Sequence, residues 1–160
     1  MVRKNGFVLF WGGVFSQWYT HNMVIDGVTY NCCEQYMMAE KARLFGDAES
    51  LEAILKQKDP RKQKALGRGV KDFNPYMWDK VSRDVVFRAN LAKFSDPEMK
   101  KYLMSFGNEE FVEASPYDKI WGIGLSENDE DALDKTKWQG TNWLGEALML
   151  VREALKNAQV

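Results

Sequence analysis

The sequence is poor in the residues that build metal sites and disulfides. It contains one histidine and two cysteines among 160 residues. A single histidine argues against a histidine-based catalytic triad and against a zinc site, so we expect no metal. The two cysteines, Cys32 and Cys33, are adjacent. Adjacent cysteines have poor geometry for a structural disulfide, and we therefore expect a reducing, cytoplasmic setting.

Long apolar runs and a strong net charge are also missing. No stretch approaches the roughly 20 apolar residues of a membrane-spanning helix, and the first residues lack the apolar core of a signal peptide. We therefore expect no membrane association. The net charge is −1, with acidic and basic residues interleaved. Such a balance gives no overall field for nucleic acid, although a local basic pocket remains compatible with it.

Aromatic residues, by contrast, are plentiful. They make up 13% of the chain and include six tryptophans. The hydrophobic content of 45% and the charged content of 28% are typical of an ordinary soluble globular protein. The chain has no repeat, low-complexity tract or linker, so the sequence predicts one domain over residues 1–160.

Turn and cap residues predict the secondary structure. The Asp26-Gly27 pair favours a tight two-residue turn, so the apolar runs beside it predict a hairpin. Asn31 is a candidate N-cap, which would put Glu34 at the third helical position as a capping-box residue. The predicted strands are Phe7–Trp11, Met23–Ile25, Val28–Tyr30 and Glu110–Glu113.

Several prolines follow cap residues and mark further helix starts. The last predicted helix buries Leu144, Leu148, Val151 and Leu155 on one face. Together, the elements predict a helix-rich α+β fold with a small β-sheet. The predicted helices run from Cys32 to about Phe45, from Asp47 to about Lys56, from Asp59-Pro60 to Gly67 or Gly69, from Asn74-Pro75 to about Phe94, from Asp96-Pro97 to Gly107, and from Thr141 or Asn142 to about Lys156, with a polar acidic loop over residues 126–137 before the last.

The segment from Glu113 to Leu125 combines two acids, a tryptophan and two glycines. Acids can transfer protons or stabilise a developing cation, tryptophan can stack on a flat ring, and glycine lets backbone approach a ligand. The pattern suggests a nucleotide- or nucleoside-shaped pocket. A tight turn packed under a core tryptophan explains the same residues, with Asp118 as its cap. The residues alone leave both interpretations open.

A second group of candidates lies on the first predicted helix. Glu34 and Lys41 are seven positions apart, which places them on one helix face and about 10 Å apart along the axis. A carboxylate and an amine at that separation suit an acid–base or acid–nucleophile pair. The alternatives are the capping role for Glu34 and a solvated surface position for Lys41.

Candidates for binding an anionic group are basic residues in the middle of the chain. Arg68 is flanked by glycines and is a plausible phosphate clamp. Arg83, Arg88 and Lys93 lie on a predicted helix, where exposed ion pairs are the expectation. Asn142 belongs to a helix start, or it offers its amide to a ligand.

Taken together, these blocks resemble the YbiA-like, or NADAR, superfamily. They occur in order and cover almost the whole chain, which makes the combination far more specific than any single block. The matching blocks are Phe10-Trp11, Phe15-Ser16, Asp26-Gly27, Glu34-Gln-Tyr36 with Met38-Ala-Glu-Lys41-Ala42, Leu66-Gly-Arg68, Trp78, Lys93-Phe94, Val112-Glu113-Ala114, Asp118 with Trp121-Gly122-Ile-Gly124, and Trp138-Gln-Gly140 with Asn142-Trp-Leu-Gly145.

The resemblance implies a compact helix-rich α+β domain and an N-glycosidase that cleaves the bond between a base-like amine and a ribose. Substrates in the family include ribosylamino-pyrimidine intermediates of riboflavin biosynthesis. Other members remove ADP-ribose from guanine, so nucleic acid is expected only as an ADP-ribosylated substrate. A non-catalytic ADP-ribose or NAD-binding protein is a third alternative. We expect a small, nucleotide-like substrate and no cofactor; the oligomeric state is open.

The same resemblance suggests roles for individual residues. Glu34 or Asp118 would stabilise positive charge as the bond breaks, or activate water. As a second route, an uncharged Lys41 would form a Schiff base with the sugar. One block departs from the family: Ser16-Gln17-Trp18 stands where Ser-Asn-Phe is common, which affects substrate choice more than reaction type. The expected substrate-binding residues are Trp11, Ser16, Trp18, Arg68, Glu113, Trp121, Gly122 and Asn142.

Overall fold

The structure is a computed structural model and describes residues 1–158. Within them lie five short strands and six α-helices, which confirms the predicted helix-rich α+β class. The strands are β1 (Val2–Lys4), β2 (Phe7–Phe10), β3 (Met23–Ile25), β4 (Val28–Tyr30) and β5 (Glu110–Glu113); the helices are α1 (Cys33–Leu44), α2 (Ala48–Lys56), α3 (Pro60–Arg68), α4 (Pro75–Phe94), α5 (Pro97–Met104) and α6 (Trp143–Asn157).

The chain divides into two compact units. The first contains Met1–Ser16 and the chain from Phe94 onward, and the second contains Gln17–Lys93. The expectation of one domain over residues 1–160 stays a prediction. Among the described residues, no helix is both long enough and apolar enough to cross a membrane.

The first unit is built on a three-stranded sheet in the order β1-β2-β5. β2 pairs with β1 in antiparallel and with β5 in parallel orientation, so that Phe10 lies opposite Glu113. β1 is absent from the sequence prediction because its Val-Arg-Lys run has little apolar character. The Asn5-Gly6 turn, in which both residues have positive φ, was the available signal for that hairpin.

Aromatic packing fills the core of the first unit. The Phe15 ring lies 4.7 Å from the Phe111 ring and 5.5 Å from the Phe10 ring, measured between centroids. The predicted apolar face of α6 is confirmed, since all four of its expected core residues are buried. Gly145 makes this packing possible, because a Cβ there would collide with the carbonyl oxygen of Phe111 on β5.

The second unit contains the β3–β4 hairpin and helices packed around α1. The hairpin turn is confirmed, with Asp26 and Gly27 both at positive φ. Asp47 caps α2 as predicted, since its carboxylate accepts a hydrogen bond from the Ser50 N–H at 3.0 Å. α3 packs closely on α1 because Gly67 leaves room for the Met38 side chain.

The predicted start of α1 is wrong. The N-cap is Cys32, and the Asn31 side chain instead donates to the Lys58 carbonyl at 2.7 Å and accepts from Gln63 at 3.0 Å. Glu34 is therefore the second helical residue and has no capping-box role. Gln35 takes the equivalent position, since its Oε1 accepts from the Asn31 N–H at 2.7 Å.

The predicted end of α5 is also wrong by a few residues. The helix ends at Met104. From there to Gly107, each N–H donates to the carbonyl three residues earlier, which is the tighter pattern of a 3₁₀ turn. Gly107 has a φ of 59°, which ends the turn.

Candidate active site

One face of α1 carries an acid and an amine, as the spacing predicted. Glu34 is 6% exposed, whereas Lys41 lies partly exposed two turns further along the helix. The N–H of Glu34 donates to the Gln17 carbonyl at 3.0 Å. The segment that carries Gln17 and Trp18 therefore lies against the first turn of α1.

The Lys41 amine sits in surroundings that favour its neutral form. Burial lowers the pKa of Lys41, the nearby Glu34 carboxylate opposes that change by raising it, and the positive charge of Arg68 lowers it further. The Nζ atom lies 4.3 Å from the centroid of the Phe73 ring. A lowered pKa makes the neutral form of the amine easier to reach, and that form is the nucleophile towards a carbonyl or imine carbon.

Arg68 adds a second cation near Lys41. It is the last residue of α3 and its side chain is exposed. Its electrostatic effect on Lys41 places the two positive charges within range of each other. Two neighbouring cations, one of them an accessible guanidinium, form a suitable partner for a phosphate or carboxylate.

The departure at Gln17-Trp18 has a structural account. The Gln17 side chain points into its own unit: its Oε1 accepts from the Asn90 amide at 2.9 Å, and its Nε2 lies 3.9 Å from the Met37 sulfur. Trp18 is 41% exposed, with Lys64 Nζ 5.9 Å from its ring centroid. The glutamine thus fixes the segment, whereas the tryptophan keeps an exposed surface, and its expected contact with substrate stays a prediction.

The prediction for Lys93, an anion-binding candidate on α4, is wrong. It was expected to form an exposed ion pair, yet its exposed fraction is 0%. The signal was present, because Val86, Ala89 and Lys93 follow the spacing of a buried helix face. Arg88 behaves as expected, with an ion pair to Asp84 at 3.1 Å.

The Lys93 amine lies near two cysteine thiols and a tyrosine ring. Burial lowers the pKa of the amine, and the two cysteine thiols oppose that change. Its Nζ lies 5.3 Å from the centroid of the Tyr19 ring. Cys32 and Cys33 are free and buried, and burial raises the pKa of their thiols to about 11 and about 12. Both thiols are therefore neutral near pH 7.

In the first unit, Asp118 closes a turn. Its Oδ1 accepts from the N–H groups of Ile120 at 2.9 Å and Trp121 at 2.8 Å, and its own N–H donates to the Ser115 hydroxyl at 3.1 Å. The turn interpretation is therefore correct for Oδ1. The other oxygen, Oδ2, forms no hydrogen bond within residues 1–158, so a catalytic role for the same carboxylate stays a prediction.

The aromatic candidates of this unit differ in exposure. Trp121 is partly exposed and packs edge-on against Trp143, with the ring centroids 5.7 Å apart. Trp11 is 58% exposed, and its ring lies 5.6 Å from that of Tyr117, which is 82% exposed. Trp11 and Tyr117 therefore present the larger open aromatic surface.

Gly122 and Asn142 have well-defined internal roles. A Cβ on Gly122 would lie 2.8 Å from the Glu113 carbonyl oxygen, so glycine permits this close approach. The Asn142 amide donates to the Phe111 carbonyl at 3.0 Å and accepts from the Glu113 N–H at 2.9 Å. Ser16, at the end of its segment, donates its N–H to the Gly13 carbonyl. Their expected contacts with substrate stay predictions.

Known proteins resemble this chain over most of its length. N-glycosidase R617 of Acanthamoeba polyphaga mimivirus is 45% identical over 146 residues, which are 88% of this chain and 86% of that protein. Protein irg-1 of Caenorhabditis elegans is 45% identical over 133 residues, which are 81% of this chain and 63% of that protein.

A solved structure has the same fold. The NMR structure of the E. coli protein YbiA matches with a TM-score of 0.80 and 26% identity, covering 99% of this chain and 89% of that one. The family model described as the NADAR domain matches residues 9–156. The order of the sequence blocks, the α+β fold and this match agree, and the chain belongs to the NADAR domain family.

Proposed function

We propose that this NADAR-domain N-glycosidase hydrolyses the bond between a base-like amine and a ribose or phosphoribose. The observation that carries the proposal is Lys41, a partly buried amine with a lowered pKa on the same α1 face as the buried carboxylate of Glu34. A hydrolase of N-glycosyl compounds is also what the name of the viral relative describes. Ribosylamino-pyrimidines of riboflavin biosynthesis are the proposed substrates, because the sequence blocks resemble proteins acting on them.

In the proposed reaction, the ribosylamine opens to an imine and the neutral Lys41 amine adds to C1′. The bond between C1′ and the base nitrogen then breaks, and the base leaves as a free amine after taking up a proton. The sugar stays bound to Lys41 as a Schiff base. Water adds to C1′, the bond to Lys41 breaks, and the sugar leaves as its aldehyde while the lysine is regenerated.

Glu34 has two tasks in this scheme. Its carboxylate stabilises the positive charge of the iminium ion, and it accepts a proton from the attacking water. A direct route is the alternative. Glu34 or Asp118 then stabilises an oxocarbenium ion and activates water without a covalent intermediate.

Arg68 is the proposed holder of the 5′-phosphate. Its exposed guanidinium and the amine of Lys41 repel each other in the free protein, and a bound dianion relieves that repulsion. Trp11, Trp18 and Trp121 are the proposed stacking residues for the base. The remaining proposed substrate contacts are Ser16, Glu113, Gly122 and Asn142.

The experiment compares three substrates. The purified protein is incubated separately with a ribosylamino-pyrimidine phosphate, with ADP-ribosyl-guanosine and with NAD, and the products are identified by mass spectrometry. We expect release of the pyrimidine amine and ribose phosphate from the first. If only ADP-ribosyl-guanosine is cleaved, the protein is an ADP-ribosyl-guanine hydrolase. If NAD binds and no substrate is cleaved, the protein is a non-catalytic sensor.

Reduction with borohydride distinguishes the Schiff-base route from the direct route, because it traps only a covalent imine. Reduction during turnover should leave a sugar adduct on the peptide that contains Lys41, and Lys41→Ala should lose both the adduct and turnover. Lys62→Ala is the matched control, because Lys62 is an exposed lysine on α3. An active Lys41→Ala without adduct would exclude the Schiff base. Full activity of Glu34→Gln would exclude a chemical role for Glu34.

A further inference from the structure

One aromatic ring lies directly against the amine of Lys41. The Nζ atom is 4.3 Å from the centroid of the Phe73 ring, a distance at which the face of an aromatic ring attracts an ammonium group. Phe73 lies in the connection between α3 and α4 and is 40% exposed. It belongs to none of the sequence motifs, because a single phenylalanine in a polar connection forms no periodic pattern. Only the tertiary structure brings it to Lys41.

A second aromatic ring holds Phe73 against the end of α1. The rings of Phe73 and Phe45 pack edge-on, with their centroids 5.4 Å apart and an angle of 70° between their planes. Phe45 directly follows α1, and its N–H donates to the Lys41 carbonyl at 3.3 Å. Residues four apart lie on the same side of a helix. The two rings and the lysine side chain therefore form one packed group.

Hydrogen bonds fix the backbone that carries Phe73. Two residues before it, the Lys71 N–H donates to the Asp47 carboxylate at 2.9 Å. Directly after it, Asn74 is engaged at the start of α4, where its Oδ1 accepts from the Tyr76 N–H at 2.9 Å. Both ends of the connection are thus fastened, and the backbone defines where the ring stands.

We propose that Phe73 is a positioning residue for Lys41: its ring excludes water from one side of the amine and holds the amine at a fixed place beside α1. Phe73 acts on the reaction through Lys41 and not through the substrate. The contact between ring and amine does not depend on the proposed function. Its effect on catalysis rests on the Schiff-base role proposed above for Lys41.

The ring has two opposite effects on the proton of Lys41. Exclusion of water disfavours the ammonium form and so lowers the pKa, and burial is the largest cause of the lowered pKa of Lys41. The negative face of the ring favours the ammonium form and so raises the pKa. A side chain that keeps the cover but lacks the face should therefore shift the pKa in the opposite direction to one that lacks both.

Two charged groups also act on the Lys41 amine. The Glu34 carboxylate on α1 raises its pKa, and the Arg68 guanidinium at the end of α3 lowers it. Ion pairs next to the packed group join Arg43 to Glu40 at 3.4 Å and Lys71 to Glu49 at 3.6 Å. A neutral substitution of Phe73 removes none of these charges, so a change in the pKa of Lys41 reports on the ring.

The test compares two substitutions of Phe73 in the full-length protein, without substrate. Leucine keeps an apolar side chain beside the amine and loses the ring face, whereas alanine loses both. Phe73→Ala should raise the pKa of Lys41 by about half a unit or more, and Phe73→Leu should lower it by about half a unit. The pKa is measured by NMR of carbon-13-dimethylated lysines, and the Lys41 signal is assigned by its loss in Lys41→Met.

The difference between the two variants decides. A higher pKa of Lys41 in Phe73→Ala than in Phe73→Leu would support the proposal, and equal or reversed values would overturn it. If Phe73→Ala does not fold, the chemical shift of the Lys41 methyl signal is the second measurement. A group over a ring face is shifted upfield, so the wild-type signal should lose an upfield shift in Phe73→Leu. An unchanged signal would overturn the contact.

Tyr76 provides the matched control. It is a 69% exposed ring in the first turn of α4, and Lys80 Nζ lies 4.4 Å from its centroid. Tyr76→Ala and Tyr76→Leu remove a ring of the same kind from a different lysine. Both should leave the pKa of Lys41 unchanged. Shifts as large as those of the Phe73 variants would show that the effect is not specific to the ring beside Lys41, and would overturn the proposal.

Activity distinguishes the contact from the proposed function. While the pH lies below the pKa of Lys41, the neutral fraction of the amine falls about tenfold for each unit by which the pKa rises. We expect Phe73→Ala to lower kcat at pH 7 about threefold or more, with little change in KM, and to approach the wild-type kcat at alkaline pH. A purely structural role would give no such recovery.

The two failures differ in their readouts. A shifted pKa of Lys41 with unchanged kcat at pH 7 would keep the contact and reject Lys41 as the nucleophile of the proposed function. A loss of kcat at every pH, with the same pKa of Lys41 in both Phe73 variants, would reject the positioning role alone.

Discussion

The side chain of Asn90 donates a hydrogen bond to that of Gln17 at 2.9 Å, and so ties the segment before β3 to the C-terminal part of α4. Asn90 is fully buried and also donates to the Val86 carbonyl of its own helix. The Gln17 side chain is long enough to make this bond from the segment before β3. A residue that looked like a change in substrate contact is therefore part of the internal framework.

Gln17→Asn should lose this bond. The shorter side chain leaves one buried donor of Asn90 with a poorer partner, and we expect a loss of about 1 kcal/mol in the free energy of unfolding. Urea unfolding measures it. Gln139→Asn, the same change at an exposed position, should have no such effect. Equal stability of the two variants would show that the Gln17–Asn90 bond contributes nothing.

The pKa of Lys41 should respond in opposite directions to its two charged neighbours. Arg68→Met removes a positive charge, so the pKa of Lys41 should rise, whereas Glu34→Gln removes a negative charge, so it should fall. NMR of the carbon-13-dimethylated amine follows both changes. Arg61→Met, at an exposed position of α3, is the control. Shifts in the same direction for both variants would refute the assigned environment.

The lowered pKa of Lys41 also affects stability. The unfolded chain binds the proton more tightly, so the penalty is fully present below the folded pKa of Lys41 and disappears as the pH rises from that pKa to the ordinary value of 10.5. The difference in unfolding free energy between wild type and Lys41→Met should therefore become more favourable to the wild type over this alkaline window. A difference that is independent of pH would contradict the burial of the amine.

Two substitutions at Asp118 separate its turn role from its proposed chemical role. Asparagine keeps the Oδ1 acceptor for Ile120 and Trp121. The free energy of unfolding of Asp118→Asn should therefore lie within about 0.5 kcal/mol of the wild-type value. Asp118→Ala removes the acceptor that closes the turn, and its free energy of unfolding should be about 1 kcal/mol lower. If the carboxylate participates in catalysis, both variants should lose at least tenfold in kcat. Full activity of Asp118→Asn would exclude a catalytic role for Asp118 and keep only its structural role in the turn.

Gly145→Ala should destabilise, although alanine normally favours a helix. The added methyl group would collide with the Phe111 carbonyl and with the Asn142 side chain, and we expect a loss of about 1–3 kcal/mol. Gly67→Ala on α3 is the comparison, because its methyl group meets the Met38 side chain, which can move aside. A Gly145→Ala variant at least as stable as Gly67→Ala would argue against tight packing of α6 on β5.

The sequence predicted those elements whose ends are decided locally. Asp47, Asp59 and Asn74 accept hydrogen bonds from the first N–H groups of the helices that follow them, so α2, α3 and α4 begin where expected. The α1 start was wrong because Asn31 finds tertiary partners in Lys58 and Gln63, which no local pattern reveals. β1 depends in the same way on pairing with β2.

In the candidate site, too, some features follow from local sequence and others from tertiary contacts. Helical spacing by itself placed Glu34 and Lys41 on one face of α1, because seven residues span almost two whole turns. Two features of the side chains' surroundings were decided by tertiary structure alone: the anchoring of Gln17 by Asn90, and the nearness of the Arg68 charge to Lys41. The physical reason is that caps and periodicity act within a few residues, whereas desolvation and charge pairing depend on segments far apart in the chain.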